Sequence, residues 1–245
     1  MNQDLQKATM NDNFIIPAQA IVGLPVNGSD ALFPVRRIYC VGRNYAAHAR
    51  EMGFDPDREP PFFFCKPNDA ESVVPVPAGE AVSVPYPPRT ENYHYEIELV
   101  VAIGKAGRDI AVEDAAAHIF GYAVGLDMTR RDLQMRMREQ GRPWEIGKAF
   151  DYSAPIGPIT RFAERGPLDA GPIALTVDGK TVQSSDLAKL IWNVNETIAQ
   201  LSTLFELRPG DLIMTGTPEG VGAVLPGQTM VGSIDSLVPI TVNVV

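Results

Sequence analysis

The amino-acid sequence predicts an α+β protein in which strands dominate. Glycine and proline occur 21 times each in 245 residues, and they divide the chain into the short apolar runs that are typical of strands and turns. Helical patterns are few and irregularly spaced, so the regular strand–helix alternation of a doubly wound sheet is missing. The sequence shows no internal repeat and no low-complexity tract.

The N-terminal part is expected to consist of small strands, turns and one short helix. Residues 1–37 carry apolar runs broken by glycine and proline, and RRIYCVG at 36–42 is typical of a strand. One or two helical turns are predicted to begin at Asn44 and to end at Gly53. The proline-rich segment 54–61 is predicted to be a loop.

The middle of the chain supplies the clearest strand patterns. FFFCKP at 62–67 indicates a short buried strand, and the prolines and valines of 70–90 favour extended, irregular chain. HYEIELVVAIG at 94–104 alternates and then becomes continuously apolar, as expected for a strand that enters the core from an open end. GYAVGLD at 121–127 predicts a second strand.

Two helices are predicted in the second half. The first follows the strand at 121–127, with Thr129 as its cap, Asp132 in its first turn and Gly141 at its end. The segment 187–205 is the longest helical pattern in the chain. The remaining C-terminal residues are rich in glycine, proline and valine, which favours turns and strands.

Charge and composition exclude several classes of partner. The formal net charge is −9 and the isoelectric point about 4.9, which argues against nucleic acid and anionic membranes as partners. No run of about 18 apolar residues indicates a membrane span, and we expect a soluble, unprocessed protein. Cys40 and Cys65 lie in apolar runs that favour buried reduced thiols, hence a cytoplasmic location. An anionic substrate would need a local cation for attraction.

Three carboxylates form a candidate metal site. Glu96 and Glu98 lie two apart on a predicted strand, so they share a face with Cα atoms about 6.6 Å apart. Asp127 ends another strand, and three oxygen ligands suit Mg²⁺, Mn²⁺ or Ca²⁺ better than zinc. His94 shares the glutamate face and is a candidate for a supporting contact. The alternative is a solvated strand face, but burial beside an apolar run would require compensating charge.

A candidate base and a candidate cation lie on separate segments. His48 and Glu51 are three apart in a predicted helical turn, so the carboxylate can orient an imidazole that activates water, although a surface ion pair fits the same spacing. Lys148 stands in an apolar setting that suits an ammonium near an anion, or it reaches the surface like an ordinary lysine. The loop at 216–222 lacks a nucleotide-binding signature, but Thr217 and adjacent amides could contact a carboxylate.

Six sequence segments together resemble the fumarylacetoacetate hydrolase family. They occur in the family order from about residue 38 onward: YCVGRNYAAHAREMG, PPFFFCKP, HYEIELVVAIGK, GYAVGLDMTRRDLQ, GRPWEIGKAFDYSAPIGP and GDLIMTGTPEGVG. The resemblance implies a small N-terminal segment with a lid (1–70), a catalytic domain with a mixed β-roll (71–245), and a homodimer. It implies metal ligation by Glu96, Glu98 and Asp127, catalysis by His48, Glu51 and Lys148, and substrate binding by Arg131, Gln134 and Thr217.

The resemblance also implies a reaction. The sequence is most similar to members that hydrolyse the carbon–carbon bond of an acylpyruvate, a small anionic diketo acid. GRPWEIGKAFD is similar to the segment in members that cleave fumarylpyruvate in aromatic-acid breakdown, the gentisate pathway. The alternatives are a decarboxylase, such as one acting on oxaloacetate, an isomerase, or a catalytically silent binding protein. A distal substrate carboxylate would need its own cation, for which the candidates are Arg43, Lys66, Arg138 and Arg142.

Overall fold

Strands account for most of the regular structure in the computed structural model, which describes residues 14–51 and 59–245. The predicted α+β class with dominant strands is therefore confirmed. The expectations for residues 1–13, for the helix end at Gly53 and for most of the loop at 54–61 lie outside the described residues.

The largest element is a mixed eight-stranded sheet. Along its main path the order is β4 (Phe62–Lys66), β3 (Arg37–Gly42), β15 (Asp211–Met214), β8 (Ile97–Ile103), β9 (Ile119–Leu126), β11 (Ala154–Ile156) and β5 (Val73–Pro75), and β12 (Thr160–Arg161) also pairs with β9. β3 and β15 run parallel, whereas β8 is antiparallel to both β15 and β9. This topology brings the start of β8 beside the ends of β9 and β15.

Both faces of this sheet are covered. A five-stranded sheet packs on one face, in the order β14 (Lys180–Asp186), β13 (Pro172–Val177), β17 (Thr229–Ile234), β18 (Ile240–Val244) and β6 (Ala81–Val84). A hairpin of β1 (Gly23–Val26) and β2 (Ser29–Pro34) covers the other face. In β8, Leu99 and Val101 join the first core, and Val100 and Ala102 join the second, which explains the continuously apolar run.

The strand predicted over 94–104 is divided in two. Residues Tyr93–Tyr95 form β7 of a three-stranded sheet, between β10 (Thr129–Arg130) and β16 (Gly222–Ala223), and β8 begins only at Ile97. Glu96 is the single residue between β7 and β8. The chain changes sheets there, which period-two alternation within one segment does not reveal.

The helices of the described residues are short, and the longest has 11 residues. They are α1 (Ala46–Glu51), α2 (Arg131–Glu139), α3 (Glu145–Lys148), α4 (Phe162–Arg165) and α5 (Val194–Leu204), with 3-10 turns at Val112–His118 and Leu187–Lys189. No helix among residues 14–51 and 59–245 is long and apolar enough to cross a membrane.

Three local predictions were wrong. Thr129 does not cap α2: it lies in β10 and its hydroxyl donates to the Asp127 carbonyl oxygen. The pattern at 187–205 breaks, because Asn193 and Glu196 form a capping box that begins α5 at Val194. The strand at 62–67 is an edge strand, so Cys65 is an exposed free thiol whereas Cys40 is buried.

The eight-stranded sheet takes strands from both sides of the predicted domain boundary at residue 70. β3 and β4 precede that residue, and β3 pairs with β15. The division into a segment with a lid and a catalytic domain stays a prediction.

Candidate active site

The sheet topology brings the three acidic residues together. Because β8 and β9 are antiparallel, Ile97 lies opposite Leu126, and the residues just outside this pair meet at one edge. The backbone amide of Asp127 donates to the carbonyl oxygen of Glu96 at 2.9 Å. One carboxylate oxygen from each of Glu96, Glu98 and Asp127 lies within 4.8 Å of the others, and all three residues are buried. A solvated strand face is thereby excluded.

Buried cations compensate two of these carboxylates. Lys148 Nζ bridges Glu96 Oε2 at 2.8 Å and Asp127 Oδ2 at 2.6 Å, and Arg131 pairs with the other oxygen of Glu96. Burial opposes ionisation of Glu96, but Lys148 and Arg131 outweigh it and hold its pKa below the ordinary value. Burial likewise opposes the charge of Lys148, yet Asp127 and Glu96 raise its pKa. Lys148 is therefore not a surface lysine.

Lys66 is a site residue whose place the sequence did not reveal. Its ammonium lies 2.8 Å from Asp127 Oδ1 and donates hydrogen bonds to the carbonyl oxygens of Met128 at 3.1 Å and Lys148 at 2.6 Å. These contacts place Lys66 behind Asp127 and account for its complete burial. A lysine at the end of an apolar strand was the only signal for this role in the sequence.

Glu98 has much less compensation than the other two carboxylates. Its Oε2 accepts one hydrogen bond, from the Gly216 amide at 2.8 Å, and burial together with Asp127 and Glu96 raises its pKa well above the ordinary value. Asp127 Oδ1 lies 2.8 Å from the Lys66 ammonium, but it accepts no hydrogen bond of good geometry from the described residues. An added cation would stabilise both groups, so the residues present fit a divalent metal with oxygen ligands.

The His–carboxylate pair lies at the same cavity. His48 is buried and lines it, and His48 Nδ1 lies 3.3 Å from Glu51 Oε2 on the single turn of α1. Glu51 is partly exposed and accepts hydrogen bonds from the Gly220 amide, at 3.2 Å to each of its oxygens. The loop at 216–222 therefore positions the carboxylate that orients the imidazole. A surface histidine is excluded by this burial.

Arg131 connects the α2 residues to the carboxylates. Besides its pairing with Glu96, its NH1 donates to Gln134 Oε1 at 3.1 Å, and its Nε lies 3.4 Å from His94 Nδ1. Burial and then Arg131 lower the pKa of His94 to about 4, so its ring is neutral near pH 7. His94 supports Arg131 and is not one of the clustered carboxylate ligands.

Gln183 is a second residue that sequence reasoning missed. It is buried, its Oε1 accepts from the Ile97 amide at 3.1 Å, and its Nε2 donates to Thr217 Oγ1 at 2.9 Å and to the Pro218 carbonyl at 2.9 Å. One side chain thus ties the backbone between Glu96 and Glu98 to the loop that carries Thr217. Nothing in the sequence around Gln183 indicated this contact.

Eight of the nine predicted site residues line one cavity, and the ninth, Glu51, is paired with His48. Residues 37–245 match the family model described as fumarylacetoacetate (FAA) hydrolase C-terminal. The chain belongs to the fumarylacetoacetate hydrolase family. The resemblance seen in the sequence motifs is thereby confirmed.

The proteins that this chain resembles include fumarylpyruvate hydrolases and an oxaloacetate tautomerase. A crystal structure of fumarylpyruvate hydrolase from Pseudomonas aeruginosa, in complex with Mn²⁺ and pyruvate, is 64% identical, with a TM-score of 0.93 over 95% of this chain and 99% of that one. A fumarylpyruvate hydrolase from a Ralstonia species is 52% identical over 162 residues, 66% of this chain and 84% of the relative. An oxaloacetate tautomerase from Escherichia coli K12 is 37% identical over 204 residues, 83% of this chain and 90% of the relative. The close structural match confirms the predicted family fold.

Proposed function

We propose that this chain hydrolyses the carbon–carbon bond of an acylpyruvate and that its substrate is fumarylpyruvate, cleaved to fumarate and pyruvate. The observation that carries the proposal is the meeting of a His–carboxylate pair with a buried three-carboxylate cluster at one cavity. The names of the Ralstonia and Pseudomonas relatives support this substrate.

Glu96, Glu98 and Asp127 would hold one divalent cation, with Mg²⁺ or Mn²⁺ as the expected ion and Ca²⁺ as an alternative occupant in crystals. When bound, such a cation supplies positive charge that polarises the oxygen atoms of a diketo acid. The Mn²⁺ and pyruvate present in the Pseudomonas relative support this assignment.

The protein side chains account for the proton transfers. Because Nδ1 of His48 is turned to Glu51, Nε2 is the atom that takes a proton from water. The water oxygen bonds to C4 of the substrate, the C3–C4 bond breaks, and its electron pair forms the enolate of pyruvate. The proton held by His48 is then available to C3. Lys148 stabilises the negative charge that develops on the pyruvyl oxygens.

The remaining predicted residues would hold the substrate. Arg131 and Gln134 present donors on one face of α2, and Thr217 presents its hydroxyl from the opposite loop. Their donors suit the carboxylate and oxo groups of the pyruvyl end.

The second candidate is an oxaloacetate-converting enzyme, a tautomerase or a decarboxylase. The Escherichia coli relative named oxaloacetate tautomerase favours it. Decarboxylation passes through the same enolate but needs no attacking water. A decarboxylase would therefore not need His48 and Glu51 to activate water. A silent binding protein is less well supported still, because binding alone requires no base pair.

A substrate panel tests the assignment directly. The purified protein with Mg²⁺ or Mn²⁺ is mixed separately with fumarylpyruvate, acetylpyruvate and oxaloacetate, and pyruvate release is measured. We expect the highest kcat/KM for fumarylpyruvate. A higher value for oxaloacetate would overturn the hydrolase assignment.

The expected homodimer, the cytoplasmic location and the place in aromatic-acid breakdown belong to the same proposal. The two free thiols support a reducing compartment. Light scattering of the purified protein tests the dimer, and fractionation of the source cells tests the location.

A further inference from the structure

The cavity continues beyond the carboxylate cluster along one face of α2. Arg131, Gln134 and Arg138 are spaced by three and four residues, so they lie on the same face of the helix, and all three line the cavity. Arg131 contacts Glu96, and Arg138 lies two turns further, roughly 10 Å along the helix axis. This distance is on the scale of the separation between the two ends of an extended diketo diacid.

A second guanidinium reaches the same part of the cavity from β3. Arg43 follows β3 directly, is half-buried and lines the cavity, with its guanidinium carbon 5.1 Å from the centre of the Phe62 ring. Burial and the nearby charge of Arg138 lower the pKa of Arg43, which indicates that the two guanidiniums are close to each other. The φ angle of Arg43 is +57°, a conformation that non-glycine residues adopt rarely and that is often found at functional sites.

The other two candidate cations for a distal carboxylate lie elsewhere. Lys66 is enclosed by Asp127 and two carbonyl oxygens behind the carboxylate cluster. Arg142 does not line the cavity but a neighbouring surface groove beside Trp144. Of the four basic residues considered from the sequence, only Arg43 and Arg138 therefore line the cavity.

We propose that Arg43 and Arg138 together bind the carboxylate at the far end of a dicarboxylic acylpyruvate, and that this pair sets the preference for a diacid. The inference rests on the proposed function, which places the pyruvyl end at Glu96, Glu98 and Asp127. Two guanidiniums present a positive surface to an anion in a protein of net charge −9, and charged hydrogen bonds are stronger than neutral ones.

The test compares two substrates that differ in the far carboxylate. We measure kcat/KM for fumarylpyruvate and acetylpyruvate with the wild type, Arg138→Gln, Arg138→Lys and Arg43→Asn, since asparagine tolerates the left-handed backbone. Arg138→Gln and Arg43→Asn should each lose about 10- to 100-fold on fumarylpyruvate and stay close to the wild type on acetylpyruvate. Arg138→Lys should recover part of the loss. Arg136→Gln, an exposed arginine on the same helix outside the cavity, is the matched control.

A binding measurement separates this proposal from the proposed function. Calorimetry of fumarate binding to the protein saturated with Mn²⁺ and oxalate should show weaker binding in Arg138→Gln and Arg43→Asn but not in Arg136→Gln. If that pattern holds without acylpyruvate cleavage by the wild type, the diacid site stands and the hydrolase assignment fails. Equal losses on both substrates, or equal wild-type kcat/KM for both, would overturn the assignment of Arg43 and Arg138 to the far carboxylate. The hydrolase assignment would stand in either case.

Discussion

The floor and the rim of the active-site cavity are built differently. The floor, Glu96, Glu98 and Asp127, lies where central strands meet, and buried lysine and arginine side chains contact it. The rim, His48 and Glu51, lies on one turn of helix and is held at Glu51 by one backbone amide of the loop at 216–222. We infer that the floor determines where the substrate binds. The rim supplies the water-activating base, so a change at the rim should stop the reaction without preventing binding.

The largest effect is expected from changing the floor at Glu98. Glu98→Gln keeps the shape but removes a ligand charge, so metal content and turnover should fall, with turnover down by at least about 100-fold. Chelation should do the same to the wild type, with recovery on addition of Mg²⁺ or Mn²⁺. Metal analysis and kcat measurements check this, with the exposed Glu113→Gln as control. Full activity and metal content in Glu98→Gln would contradict the assignment of the metal site.

The same variant should not be less stable than the metal-free wild type. Glu98 has a pKa raised by burial, Asp127 and Glu96, so its ionised form destabilises the folded state above the ordinary carboxyl pKa. Glutamine removes that cost. Thermal unfolding of both proteins in chelator at pH 7 checks the expectation, and a clearly lower melting temperature for Glu98→Gln would contradict it.

A change at the rim should abolish chemistry without abolishing binding. His48→Ala removes the proposed base, for which a loss of about 10²- to 10⁴-fold in kcat is typical. Oxalate, which mimics the enolate of pyruvate, should still bind with near wild-type affinity, because the floor is intact. Unchanged acylpyruvate cleavage by His48→Ala would remove the histidine from the mechanism. Unchanged oxaloacetate turnover together with lost acylpyruvate cleavage would show that the two reactions use the cavity differently.

A substitution of Gln183 should have a smaller effect than the changes at Glu98 and His48, and it should affect both stability and substrate binding. Gln183→Met leaves the buried Ile97 amide without its acceptor and frees Thr217, at a cost of about 1–3 kcal/mol in unfolding free energy. We expect KM to rise more than kcat falls, since Thr217 is proposed to hold substrate. Urea unfolding and steady-state kinetics check both points. Gln200→Met, which changes an exposed glutamine of α5, is the control, and equal effects of the two changes would count against a role for Gln183.

The smallest effect concerns pH and His94. Its pKa is lowered from 6.5 to about 4 by burial and then by Arg131, so the unfolded chain binds the proton more readily than the folded one. Protonation of His94 therefore leaves the free energy of unfolding unchanged above about pH 6.5 and lowers it as the pH falls from 6.5 toward 4. His94→Gln should flatten this part of the stability–pH curve measured by chemical unfolding. An unchanged slope between pH 6.5 and 4 would contradict the assignment.

Much of the floor and rim was accessible from the sequence because the relevant spacings are local. Strand alternation predicted that Glu96 and Glu98 lie close together, which holds although Glu96 is at the junction between β7 and β8, and a helical turn places His48 beside Glu51. The end of a strand can also be predicted from the sequence, and for this reason Asp127 was predicted to lie near the two glutamates. The functional roles of these residues stay predictions until the variants are measured.

The tertiary structure decided what local periodicity cannot express. Lys66 contacts a carbonyl oxygen 82 positions away, and Gln183 contacts an amide 86 positions away, so both contacts depend on how segments that are distant in sequence pack against each other. The capping box at Asn193 starts α5 at Val194, seven residues after the predicted start at 187, and the edge position of its strand exposes Cys65 in an apolar run. The choice of Arg43 and Arg138 among four basic residues likewise required their positions at the cavity. Sequence spacing fixes which side chains share a face, but only the packing of distant segments fixes what that face meets.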